Sequence, residues 1–424
     1  MFPQLSSPGL RRPTTTWVRL ALIVLLTTMA SGCSTRKTVT PLPSSAETDK
    51  VVWTFEQVER GAIVSSPLAA GDRLYVGAIR DAGLSTSGAV YCLNRETGKI
   101  IWKFDDDGET QHMYSSPCLA NGRLYIGEGM HANQVCKFYC LDAGSGQKLW
   151  QFVTAGHIES SPCVADGKVF FAAGDDGLYC LDAVSGAPRW HYEAPIHVDA
   201  SPSVVGRCLY CGSGVSRTRK TTQVFCLNAD TGAVLWQKPT DLPAWGSPAV
   251  SGDQVFFGLG NGRLTQSALA PEKPAGAVLC AAAKNGETQW RYDVRDGVLV
   301  RPAVDDHRVY FGARDGCCYC LDRSHGQLCW MQDLGSPLVT NPALLERRLY
   351  VVASDGRVSR LDADSGRIGW TFDVAAHSQT KPRLFSAPAV VGERAEVNGH
   401  FRVYFGAELR MPLNSAAMVY CLRD

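Results

Sequence analysis

An all-β fold is predicted, an eight-bladed propeller of four-stranded blades closed by the N-terminal strand, because three marks recur in fixed order from Val51 to Asp424. The first is an X-Pro step, at Pro67, Pro117, Pro162, Pro202, Pro248, Pro302, Pro342 and Pro388. The second is a short apolar strand of the type YCLD, ending near Asn94, Asp142, Asp182, Asn228, Ala282, Asp322, Asp362 and Arg423. The third is a Gly followed four residues later by a Trp: Gly98/Trp102, Gly146/Trp150, Gly186/Trp190, Gly232/Trp236, Gly286/Trp290, Gly326/Trp330 and Gly366/Trp370. The repeat length, about 47 residues, is that of one four-stranded blade.

Each element follows from local signals. In the third repeat, Ser161-Pro162-Cys163-Val164 opens an inner strand A, Lys168 to Ala172 is B, Gly177 to Leu181 is C and Pro188 to Tyr192 is the outer D. Asp175-Asp176-Gly177 and Asp182 to Gly186 carry the turn residues between them. A β-sandwich would show similar strands but not eight copies of one motif, and no run at helical period supports an α/β fold. The third mark lacks an eighth copy, whereas Trp53 stands at the start with no Ser-Pro strand before it. The first strand is therefore expected to complete the last blade.

The composition fits. Of the chain, 45% is hydrophobic and 20% charged, with 41 Gly and 22 Pro to supply turns. Lys+Arg number 42 against 41 Asp+Glu, and Arg11, Arg12 and Arg19 precede Cys33, so the chain from Cys33 onward is slightly acidic. That balance argues against binding nucleic acid through its phosphates.

Residues 1–32 read as a lipoprotein-type signal peptide: arginines are the only charges, and Leu20 to Ala30 is apolar but too short to span a bilayer. Ala30-Ser31-Gly32-Cys33 resembles a bacterial lipobox, with Ala30 where Leu is usual, and makes Cys33 the expected lipidation site. Plain cleavage and an uncleaved anchor are the alternatives. Residues 34–50, rich in Ser, Thr and Pro, read as a flexible tether to a propeller spanning residues 51–424. The expected location is the bacterial cell envelope, on the outer membrane facing the periplasm, as a monomer.

LNRETGKIIW (Leu93 to Trp102), LDAGSGQKLW (Leu141 to Trp150) and LDADSGRIGW (Leu361 to Trp370) resemble the tryptophan-docking repeat of quinoprotein-type propellers. Enzyme members of that family hold pyrroloquinoline quinone (PQQ), while the outer-membrane assembly lipoproteins of the same repeat are non-enzymatic. The lipobox, short chain and bare repeats look most like the second branch. The resemblance implies a structural docking role for Trp53, Trp102, Trp150, Trp190, Trp236, Trp290, Trp330 and Trp370, each wedged between neighbouring blades.

The chain has 16 cysteines, and Cys92, Cys140, Cys180, Cys226, Cys280, Cys320 and Cys421 hold the second position of the YCLD strand, where a small buried hydrophobe suffices. Cys208 and Cys211 are three apart in a strand and point to opposite faces, so they do not grip one zinc. Adjacent cysteines in quinoprotein dehydrogenases form a disulfide ring beside the quinone; here Cys317-Cys318 starts strand C of blade 6 and reads as ordinary strand. An odd number of cysteines remains after Cys33, so at least one thiol is expected to stay free.

In a propeller the D-to-A and B-to-C connections open on one face. Aligning the repeats on the Pro puts His112, His157 and His197 five residues before it, and Tyr114, Glu159, Asp199, Trp245 and Phe385 three before it, on one side of an extended chain. Each His is expected to hydrogen-bond the carboxylate two residues on, as a polar funnel rim rather than a metal centre. Ser precedes the Pro in blades 1 to 5, but Arg301 and Asn341 do so in blades 6 and 7. Blades 3, 6 and 7 join B to C by tight Asp-Gly turns, whereas blades 1, 2, 4, 5 and 8 insert more, including Ser213 to Thr222 with Arg217 and Arg219, and Asn261 to Gly276. Insertions on one face of a repeat array mark the recognition face.

The reading is a lipid-anchored, non-enzymatic scaffold binding a protein or peptide in the envelope, with no metal, cofactor or catalytic residue expected. Two alternatives remain, a PQQ-dependent dehydrogenase with calcium, and an extracellular binder of ligands or polysaccharide.

Overall fold

The computed structural model describes residues 50–81, 86–131, 133–193, 195–262, 273–392, 401–411 and 414–424. The signal segment, Cys33 and most of the tether lie outside these residues, as does the middle of the blade 5 insertion, 263–272.

Blades 2 to 7 are six separate four-stranded antiparallel sheets, each in chain order from the inner to the outer strand. In blade 3 the strands are Cys163–Ala165, Lys168–Ala172, Leu178–Asp182 and Pro188–Tyr192. Blades 1 and 8 merge into a nine-stranded sheet. The N-terminal strand Val51–Ala62 pairs with the last strand, Asn414–Arg423, from Val51 opposite Leu422 to Arg60 opposite Ala416. Its far end, Arg60 to Ala62, then pairs with Ile79 to Asp81 of blade 1. One long strand thus supplies the outer strand of blade 8 and, by pairing with blade 1 as well, ties the ring shut.

Pairing register explains the repeated cysteine. Cys92, Cys140, Cys180, Cys226, Cys280, Cys320 and Cys421 each lie directly opposite a docking tryptophan: Trp102, Trp150, Trp190, Trp236, Trp290, Trp330 and Trp53. In blade 7 Arg360 takes the position, opposite Trp370. In each of blades 1 to 7 the register shifts by a bulge one step later, between Cys140 and Leu141 in blade 2, for example. The bulge turns the chain into the corner. There Asp142 Oδ1 accepts from the Ser145 backbone N–H and hydroxyl, both at 2.8 Å, and Gly146 closes the turn at φ 77°.

The tryptophans reach across blade boundaries. Trp102 Nε1 donates to Ala143 O (3.1 Å), Trp236 to Ala283 O (3.0 Å) and Trp330 to Ala363 O (2.9 Å). Trp53, Trp190 and Trp290 make the equivalent bond to Arg95, Ala229 and Arg323. Trp150 is the exception, its Nε1 buried without a partner. Trp370 Nε1 donates instead to the Asp424 carboxylate (2.5 Å). The cores lie between blades: Phe170, Leu178 and Cys180 of blade 3 pack with Leu209, Cys211 and Phe225 of blade 4.

Near the axis, residues just before the prolines link several of the blades. Ala387 N donates to Ser66 Oγ (3.0 Å), Ser66 N to Ser116 Oγ (2.9 Å), Ser116 N to Ser161 Oγ (3.1 Å) and Ser161 N to Ser201 Oγ (2.8 Å). Arg301 N donates to Asn341 Oδ1 at 2.7 Å. Where Ser or Asn stands at this position, its side-chain oxygen accepts from the neighbouring blade; Arg301 and Ala387 take part through their backbone N–H alone.

The longer B-to-C segments differ in kind. In blades 1, 5 and 8 the added length becomes strand, with pairing out to Asp81 and Thr86, Gly260 and Gly276, and Met411 and Asn414. In blades 2 and 4 it stays irregular. Between blades 7 and 8 a five-residue helix, Val374–Ser378, is capped by Asp373 accepting from Ala375 N and Ala376 N. It leads to Lys381–Arg383, which pairs with the extended hairpin of blade 8.

Candidate functional site

Two features share the face of the D-to-A and B-to-C connections. One is a cavity of about 560 Å³ over blades 8, 1, 2 and 3, with Val339 of blade 7 at its edge. Tyr114 and Phe385 line it from D-to-A connections, with His112 and Glu159. Asp81, Glu408 and Arg410 line it from the extended hairpins, and Arg383 from the segment after the helix. Aromatic rings thus alternate with both signs of charge, a surface that suits an amphipathic segment. The His112 ring packs on Tyr114 (centroids 6.3 Å apart), with Nδ1 3.0 Å from Met130 Sδ. His112 Nε2 is buried without a hydrogen-bond partner, and burial lowers its pKa below the ordinary imidazole value.

The second feature is a cluster of three histidines and three carboxylates over blades 2, 3 and 4. His157 and His197 converge, with ring centroids 5.7 Å apart, and His131 stacks on His157 at 4.9 Å. Asp199 sits between them: His157 Nε2 lies 3.0 Å from Oδ1, and His197 Nε2 lies 2.7 Å from Oδ2. His197 Nδ1 meets Asp175 Oδ1 at 2.7 Å, and the other Asp175 oxygen accepts from Ser216 Oγ (3.1 Å) and Thr218 Oγ1 (2.9 Å). Burial alone would lower the pKa of His197, but Asp199 and Asp175 hold it above the ordinary value. Burial would raise that of Asp199, but the two histidines hold it well below the carboxylate range. Trp245 closes the blade 5 side, its ring 6.2 Å from that of His197 and against the Gly214 backbone.

The pairing differs from the expected one. His197 does meet the carboxylate two residues on, but His157 reaches across to Asp199 of the next blade, because Glu159 is engaged by His131. His112 stands apart, on the cavity. Arg217 is exposed and Arg219 half-buried in the blade 4 loop whose Ser216 and Thr218 hold Asp175. Arg301 and Asn341 belong to the axial hydrogen-bonded ring. Comparing repeats at the D-to-A positions missed His131, which stands in the blade 2 B-to-C insertion, and Asp175, which looks like a turn residue.

The cysteine pair tests the cavity for a quinone. Cys317 and Cys318 are consecutive residues of one strand, Cys317–Asp322, and pack into opposite inter-blade cores. Neither lines the cavity, so the vicinal pair found beside a quinone in the enzymes is not at this site. We derive no step through that cofactor.

Among known proteins, a stretch of 131 residues is 27% identical to tetrathionate hydrolase of Acidithiobacillus ferrooxidans, covering 26% of this chain and 24% of that one. The chain therefore spans about a quarter of that relative's length. The crystal structure of BamB from Moraxella catarrhalis is similar at TM-score 0.61 and 16% identity, over 87% of this chain and 96% of that one. The quinohemoprotein alcohol dehydrogenase ADHIIG of Pseudomonas putida HK5 is similar at TM-score 0.62 and 13% identity, over 90% and 78%. Both likenesses are of fold, which the enzyme and the assembly factor share. The family model described as outer membrane protein assembly factor BamB matches residues 44–138, 133–271 and 274–407, the stretches that build the blades, and the chain belongs to that family.

Proposed function

We propose that the chain is a non-enzymatic scaffold of the bacterial cell envelope that binds a protein or peptide partner on its D-to-A and B-to-C face, in outer-membrane protein assembly. The observation that carries this reading is the amphipathic cavity flanked by the extended hairpins of blades 1 and 8. An extended or helical peptide would place an apolar side chain against Tyr114 and Phe385 and its charges against Arg383, Arg410, Asp81 and Glu408. The family description supports the assembly role. Crosslinking in the native envelope, with a photoreactive residue at position 114 or 385, tests it. Capture of an assembly component, with fewer folded outer-membrane proteins when the chain is deleted, is expected. No specific crosslink and unchanged outer-membrane proteins would refute it.

Cys33 is read as the lipid anchor. Cys33→Ala should release the chain from washed membranes; retention points to an uncleaved helix or a protein anchor instead.

The likeness to a quinohemoprotein alcohol dehydrogenase favours a second reading, a PQQ-dependent dehydrogenase. Purified protein given calcium and the quinone should then bind it stoichiometrically and reduce a dye with an alcohol, and we expect neither.

A further inference from the structure

The His131 and His197 rings are held in one manner. Each turns Nδ1 to a carboxylate, His131 to Glu159 and His197 to Asp175. Glu159 also accepts the His131 backbone N–H at 2.8 Å, and Asp175 is fixed by the Ser216 and Thr218 hydroxyls. Nε2 of both rings faces one oxygen, Asp199 Oδ2, at 3.5 Å from His131 and at 2.7 Å from His197, the second a hydrogen bond that His197 Nε2–H donates. A divalent ion bound there would displace the His197 Nε2 proton and take its place between the rings and the carboxylate.

We propose that His131 Nε2, His197 Nε2 and Asp199 Oδ2 bind a zinc-class divalent ion, a site separate from the partner-binding reading. The ligand atoms of these three residues lie within 4.8 Å of one another. Ligands held at about 2.0–2.2 Å from a tetrahedral ion stand about 3.4 Å apart, so small side-chain shifts suffice. Carboxylates on the Nδ1 atoms of both rings supply the outer shell that orients metal-bound histidines and strengthens them as ligands. His157 secures the ligand carboxylate through its other oxygen at 3.0 Å. Three carboxylates around three imidazoles leave an excess of negative charge that a dication neutralises. Two imidazoles and one carboxylate select zinc, nickel or copper over calcium and magnesium. The His131 side chain is 58% exposed, which gives the ion a route in and leaves the fourth position open beside Glu159, which also lines the cavity. The sequence expectation of no metal weighed the cysteines and the histidines of the D-to-A positions, whereas a ligand of this site comes from a B-to-C insertion.

The test uses the purified full-length chain, stripped with a chelator and titrated with zinc against a competing indicator, and with cobalt as a spectroscopic substitute. One equivalent of zinc is expected, with cobalt showing the visible bands of nitrogen and oxygen ligation and no thiolate charge-transfer band. His131→Ala should abolish binding with an unchanged melt, since its side chain is exposed. Asp175→Asn should weaken binding by about 10- to 100-fold. His197 is buried, so His197→Ala is read only where its melt remains cooperative. Absence of a stoichiometric site, binding unchanged in His131→Ala, or thiolate bands that place the metal on cysteines would each overturn the proposal.

Discussion

At the scale of single residues, the corner glycines and the C-terminal aspartate show two ways of docking the same indole. A Cβ on Gly146 would stand 2.6 Å from the Trp102 ring, at φ 77°, so two penalties coincide. Gly122 has a similar φ of 73° but nothing within 4 Å of its Cβ position. Gly146→Ala should therefore cost about 2–4 kcal/mol, and Gly122→Ala only about 1–2 kcal/mol; equal losses in a thermal melt would show that the Trp contact is not the reason for the glycine. Asp424 accepts the Trp370 indole through its side chain. Burial alone would raise its pKa, but hydrogen bonds from Trp370 and Tyr350 and the charges of Arg360 and Arg348 hold it below the ordinary carboxylate value. Because the folded pKa lies below the unfolded one, about 3.9, this stabilisation is complete above that value and is lost as pH falls through the folded pKa. Asp424→Asn keeps an acceptor but removes the charge. Its deficit in melting temperature should be constant from about pH 7 to 5 and shrink below about pH 4; a deficit that grows with acid would reverse the sign and exclude the argument.

Among elements, the N-terminal strand has the largest consequence. It pairs with the last strand over Val51 to Glu56 and with blade 1 over Arg60 to Ala62, so one segment serves two sheets. Removing Val51 to Glu56 should expose the edge of Asn414–Arg423 and remove Trp53 together with its bond to Arg95, opening the ring. Aggregation, or a melting temperature lower by more than about 5 °C, is the expected outcome, and a truncated protein that melts like the parent would refute closure by this strand. The repeats made most of this legible. Most corners place Asp or Asn, then Ser or Thr, then Gly at fixed offsets, and seven of the docking tryptophans face a Cys, with Arg360 opposite Trp370 the exception, so the pattern Tyr-Cys-Leu-Asp and Gly to Trp makes the blades readable residue by residue. The cluster was less legible. His157, His197 and Asp199 stand at equivalent repeat positions and align by inspection, whereas His131 and Asp175 reach them from connections of unequal length. Which carboxylate each His takes depends on the inter-blade offset, and that brought His157 to Asp199 rather than to Glu159.

For the whole molecule, the two faces of the ring divide the labour. The corner face carries the Asp-x-x-x-Gly turns and the indoles that couple the blades, and the other face carries the cavity, the histidine cluster and the extended hairpins. The division arises because insertions between B and C leave the corner motif and the inter-blade cores untouched. Substitutions on the two faces should accordingly separate binding from stability. Tyr114→Ala with Phe385→Ala removes both rings from the cavity wall without touching an inter-blade tryptophan, so partner capture should fall by about tenfold or more while the melt shifts little. Trp245→Ala lies beyond the histidine cluster, away from the cavity over blades 8 to 3, and should reduce capture less if the cavity is the recognition centre. On the opposite face, Asp182→Ala removes the acceptor for Ser185 N and Arg189 Nη2 and should cost about 1 kcal/mol, with capture unchanged. Capture lost in Asp182→Ala and kept in the Tyr114 and Phe385 variant would move the recognition surface to the corner face. Loss in Trp245→Ala alone would centre it instead on blades 4 and 5, around the histidine cluster and its neighbouring loop.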